Sequence, residues 1–182
     1  MQKRLVIGCA IFLLTGTAFA ASISIQMKAS YFLPSDEYFK SIYGNAPTYG
    51  AKIGFDIWKS IGIWLDAEFY SKTGKTTLMS EETKLQLIPI TAGVRYMFLP
   101  DKNFSPYLGA GIGYFQYKET NPIGSVSKGD VGFIIQGGFV FKLNRMIFVD
   151  VQGSYSSCKA NPSGVEAELG GIKVGLGLGI SL

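Results

Sequence analysis

Apolar and polar residues alternate with a period of two along most of this chain. In its last stretch the even positions Ile172, Val174, Leu176, Leu178, Ile180 and Leu182 are aliphatic, while the odd ones are Lys173, Gly175, Gly177, Gly179 and Ser181. A strand with one apolar face leaves this trace. The same division recurs over residues 23–31, 49–57, 63–69, 88–98, 108–114, 131–141 and 147–155. Eight strands are predicted, most of them close to the ~9 to 11 residues that a tilted strand needs to cross a bilayer. The connectors alternate as well: short at 59–61, 99–105 and 143–145, long at 32–48, 72–82, 118–130 and 157–168. Tight turns on one rim and long loops on the other predict an all-β, eight-stranded antiparallel up-and-down transmembrane β-barrel, with both termini on the short-turn, periplasmic side.

The sorting of charges decides which face is outside. A soluble ligand-binding barrel would keep its apolar rows within and its polar rows in water. The polar rows here are rich in glycine and carry only Lys28, Lys52, Arg95, Lys142 and Lys173 against Asp56, Asp66, Glu68 and Asp150. So sparse a set solvates an exterior poorly but neutralises itself in a narrow lumen, so the aliphatic rows are expected to face lipid. Counting from the short-turn rim predicts a layer of Arg95, Asp66 and Asp150, with Lys28, Lys52 and Glu68 in another above it. Tyr31 and Phe32 near the upper end, and Tyr96, Phe98, Phe139 and Phe141 near the lower, are expected to form interfacial belts.

Residues 1–20 have a basic start (Lys3, Arg4), an apolar run and an Ala18-Phe19-Ala20 exit, the pattern of a cleaved secretory signal peptide. The expected division is therefore a leader at 1–20 and one barrel domain at 21–182. Cleavage would leave 162 residues (182 less 20) and, by removing Lys3 and Arg4, lower the formal net charge from +4 to +2. No nucleic-acid partner follows from so small a charge. Of the two cysteines, Cys9 lies in the leader and Cys158 alone would remain, so no intrachain disulfide is expected. No mature stretch reaches the ~18 apolar residues of a membrane-spanning helix.

The absence of histidine removes Ser-His-Asp, Cys-His and His-ligated zinc chemistry. Gly74-Lys75-Thr76 lacks the first glycine of a phosphate loop, since Phe69 stands there. Gly109-x-Gly111 and Gly175-x-Gly177 meet Tyr114 and Ile180 where a dinucleotide fingerprint needs its third glycine. Asp66 and Glu68 share one strand face and are read as partners for inward cations. No catalytic residue, metal site or cofactor is expected.

The runs PYLGAGIGY (106–114) and IPITAGVRY (88–96), with the segment from Tyr31 through Pro34, Ser35 and Asp36 to Ile42, Tyr43 and Gly44, resemble strands and the first loop of small OmpA/OmpX-like outer-membrane barrels. The resemblance implies a monomer in the outer-membrane lipid, inserted by the barrel-assembly machinery, with a structural or surface-interaction role carried by four long loops. Those loops are mixed in charge, and the molecular partner they would meet outside the cell is left open. Such barrels usually end in an aromatic residue read during assembly. Here Gly177, Ile180 and Leu182 keep that signal in part, with Leu182 in the aromatic place. No OmpA-type peptidoglycan-binding domain is found, so no cell-wall anchoring is expected. A narrow solute channel and a His-free lipid-modifying enzyme are the alternatives.

Overall fold

The computed structural model describes residues 22–75, 82–122, 124–160 and 167–182; the leader, Glu81 and Glu166 lie outside them. The elements are β1 (Ser22–Pro34), α1 (Glu37–Tyr43), β2 (Ala46–Trp58), β3 (Ile61–Lys75), β4 (Glu82–Met97), β5 (Phe104–Asn121), β6 (Gly124–Lys142), β7 (Ile147–Ser157), β8 (Lys159–Ala160), β9 (Ala167–Glu168) and β10 (Gly171–Ser181). The long strands close in the order β1-β10-β7-β6-β5-β4-β3-β2. Each pairs antiparallel with its neighbours, and β1 meets β10 from Ser24 opposite Ser181 to Pro34 opposite Gly171. Closure leaves no strand edge in the wall, which hydrocarbon requires because it offers backbone N–H and C=O groups no partners.

The aliphatic rows face outward. Met27 is 69% and Ile112 67% exposed, whereas Lys28 is 6% and Asp66 3% exposed. That order is the reverse of a soluble protein's and fits a wall whose solvent is lipid. Tyr96 and Phe98 stack edge to face at 5.2 Å, and Phe104 lies 5.3 Å from Phe139 and 5.2 Å from Phe141 on the outer surface of the short-turn end. Phe32 departs from the expected upper belt. It is buried inside the barrel while Tyr31 is exposed, because successive strand residues must point to opposite faces.

Above the wall the expected long connectors hold more structure than the alternation revealed. β5 and β6 run for 18 and 19 residues and meet in a hairpin with Asn121 opposite Gly124. Beyond the bilayer both faces of this hairpin are wet, so the ladder continues although the apolar row has stopped. In the first connector Asp36 caps α1 by accepting the Phe39 N–H at 3.0 Å. Gly44, at φ 65°, ends it by donating its N–H to the Lys40 carbonyl at 2.9 Å. Between its caps the helix buries Phe39 and Tyr43, four residues apart on one face. In the fourth connector β8 pairs with β9.

Among the described residues the ladders are irregular at two places: β2 shifts register against β3 between Asp56 and Trp58, and the second lies between β3 and β4. β3 and β4 pair from Ile61 opposite Tyr96 to Ala67 opposite Ile90 and resume at Tyr70 opposite Leu87. The gap faces Pro89, which has no N–H to give a ladder.

Candidate functional site

The lumen is filled rather than open. Near the short-turn mouth the Arg95 Nη2 donates to Asp56 Oδ1 at 2.8 Å. Gly54 and Gly62 leave room for that guanidinium, since a Cβ on either would stand 3.1 Å from one of its nitrogens. Further in, Lys52 Nζ donates to Gln152 Oε1 at 2.5 Å and Gln136 Oε1 at 3.2 Å, and lies 3.8 Å from Asp150 Oδ2. Asp150 accepts from the Tyr107 hydroxyl at 3.0 Å and from Gln26 Nε2 at 3.2 Å. Above these, Lys28 Nζ bridges the carboxylates of Asp66 and Glu68, and Glu68 Oε2 also takes Lys173 Nζ and the Thr48 hydroxyl, each at 3.0 Å.

This arrangement corrects the expected layers. Arg95 meets Asp56 rather than Asp66 and Asp150, and Lys52 sits with Asp150 rather than with Lys28 and Glu68. The physical reason is stagger: strands of a closed barrel tilt and shift register around it, so equal counts from the rim do not mean equal heights. Lys142 also leaves the set. It ends β6, is exposed, and its Nζ donates to the Pro100 carbonyl at 2.6 Å in the neighbouring turn. Its long stem carries the ammonium out to water where the wall stops. The remaining interior charges balance, with Lys28, Lys52, Arg95 and Lys173 against Asp56, Asp66, Glu68 and Asp150.

Gln26, Gln136, Gln152, Thr48 and Tyr107 belong to the network although they carry no formal charge and lie outside the predicted set. Their signal was position, since all lie on the inward row. Two apolar clusters bound the polar waist. Met97, Tyr107, Val140 and Phe148 lie toward the short turns, and Phe32, Phe39, Tyr43, Tyr70, Leu85, Leu87, Phe115, Tyr117 and Leu169 form a roof toward the loops. The roof packs by edge-to-face contacts such as Phe32 on Tyr70 at 5.6 Å. Asp36 straps it by also accepting the Glu168 N–H at 3.2 Å. Partial burial raises the Asp36 pKa, but N–H groups of Phe39, Glu168 and Tyr38 outweigh it and hold the carboxyl below its ordinary value. Cys158 is part of the roof, and burial, helped by Asp130 and Glu168, pushes its thiol up to about 12.

Chemically, each interior carboxylate is engaged by a cation, so the set is a cross-linked neutral plug rather than an acid–base pair awaiting a substrate. Among the described residues no cluster of three or more metal-ligating side chains occurs. The C-terminal residues close the wall. Gly177 lies between Lys28 and Asp150 in the register, Ile180 faces outward opposite Ile25 and Ile147, and Leu182 donates its N–H to the Ile23 carbonyl at 2.8 Å.

The sequence profile described as outer membrane protein beta-barrel domain matches residues 9–179. The chain belongs to that family. Its place is accordingly the outer membrane, with the membrane's lipid around its apolar rows. Solved members of the same architecture include Neisserial surface protein A, 16% identical, covering 87% of this chain and 96% of that one at a TM-score of 0.68. OprG of Pseudomonas aeruginosa is 15% identical, covering 89% and 96% at 0.69. Ail, the attachment invasion locus protein of Yersinia pestis, solved with the heparin analogue sucrose octasulfate, is 17% identical, covering 89% and 97% at 0.55. At these identities the likeness is one of fold. No curated protein sequence gives a significant match.

Proposed function

We propose that this outer-membrane barrel is a monomeric, non-enzymatic surface protein, whose wall and plug are a rigid pedestal and whose loop end is an adhesion-like interaction surface. The observation that carries the reading is the filled lumen: a balanced ionic waist between two apolar clusters gives a solute no continuous polar path. An eight-stranded barrel has an interior only wide enough for side chains. What the proposed role leaves for contact outside the cell is the loop end, where the β5–β6 hairpin stands above the wall and Tyr38 on α1 is 84% exposed. Ail carries attachment in its name and a heparin analogue in its structure, which supports a surface role here by analogy of architecture. In this reading the termini and short turns are periplasmic, and Gly177, Ile180 and Leu182 are the segment read by the assembly machinery.

Two measurements test it. In planar bilayers the folded protein should give no conductance steps; regular steps would establish the channel alternative. On intact cells a membrane-impermeant maleimide should label Ser125→Cys in the hairpin but not Arg145→Cys in a short turn, with the reverse result inverting the orientation. Heat-modifiable gel mobility of the membrane fraction checks closure in both experiments.

A further inference from the structure

The short-turn mouth differs from the sealed loop end. There the lumen opens into a cavity of about 440 Å³, within the roughly 300–1,000 Å³ usual for small-molecule sites. Met97, Val140 and Phe148 give it an apolar floor, and Arg95 and Arg145 stand on its walls. The Arg95 side chain is only 7% exposed. One of its Nη groups is taken by Asp56, the carboxylate that also lines the cavity, and its Nε–H is buried without an acceptor. A guanidinium offers five donors, and an unmet buried one is costly. The second arginine, on the exposed turn after β6, adds positive charge at the entrance. The ionic waist closes the inner end, so this is a blind recess suited to holding a molecule, not to passing one.

We infer that this vestibule binds a small amphiphilic monoanion, whose charged head sits against Arg95 and Arg145 and whose apolar part lies on Met97, Val140 and Phe148. Neither the proposed surface role nor the orientation of the barrel is needed for it.

The probe is benzoate, with benzyl alcohol as its uncharged counterpart, added to the full barrel folded in phosphatidylcholine nanodiscs. The readout is the NMR resonances of the Arg95 Nε–Hε group and the Phe148 ring. Benzoate should shift both saturably, benzyl alcohol should not at equal concentration, and added salt should weaken the binding. Arg145→Gln, in an exposed turn where folding is not at stake, should weaken benzoate about two- to fivefold, the usual worth of one exposed charge. Arg95→Gln, checked for closure by heat-modifiable mobility, should abolish saturation. Shifts confined to the loop end, equal binding of the alcohol, no saturable shift, or an Arg145→Gln variant that binds as the parent does would each overturn the inference.

Discussion

The waist and the roof fill the same cylinder by opposite means. In the waist, charged and amide side chains from seven strands are held by directed contacts, such as Glu68 between Lys28 and Lys173 and Asp150 between Tyr107 and Gln26. In the roof, aromatic and aliphatic side chains pack without direction, and a helix from a connector supplies part of the filling. The difference teaches where each kind of bonding is tolerable. Midway through the bilayer the wall is fixed, so ionic partners can be set and kept. At the water's edge a packing that accepts small displacements can absorb loop movement.

The comparison breaks most sharply at Glu68. Glu68→Gln should cost about 3–5 kcal/mol in urea unfolding from lipid vesicles, because two buried lysines lose their shared counter-charge. A second change, Lys28→Met, should recover part of that loss, and strict additivity would show that the waist is not a coupled unit. In the roof Leu87→Ala should cost about 2–3 kcal/mol, the low end for such truncations, since neighbouring side chains can settle into the space. Arg95→Met should cost less than Glu68→Gln, about 1–3 kcal/mol, since its partner Asp56 is part-exposed near the mouth.

Smaller effects sharpen the contrast at the strap. Asp36→Ala removes a helix cap and should loosen α1 by about 0.5–2 kcal/mol, read as faster amide exchange at Phe39 and Glu168. Because the folded carboxyl titrates below its ordinary 3.8, its stabilisation is complete above that value and fades as pH falls through the lower folded one. Exchange at those two amides should therefore quicken only under strongly acidic conditions. The smallest signal is at Cys158, which should resist iodoacetamide at neutral pH in the folded protein and react once it is unfolded.

The wall was legible in the sequence because one physical rule governs every residue in it. A side chain meets either hydrocarbon or the lumen, and Leu176 or Lys28 can satisfy only one of the two. The partnerships inside were not, because Arg95 and Asp56 are brought together by stagger, which no single strand records. The roof escaped notice for another reason. At Phe69 and Tyr70, or Tyr114 and Phe115, apolar residues occupy both faces, so alternation stops distinguishing in from out just where the filling changes character. The seven-residue α1 is too short to declare a helical period, although its Asp36 cap and Gly44 stop were in plain sight.

The seam between β1 and β10 joins residues near opposite ends of the chain, Ser24 with Ser181 among them. No fragment that lacks β10 can make that junction, so the cylinder cannot close until β10 is present, and closure takes a search across nearly the whole barrel domain. Such distant pairings make for slow folding. Until they form, the first and last strands remain open templates whose unpaired edges can take a wrong partner.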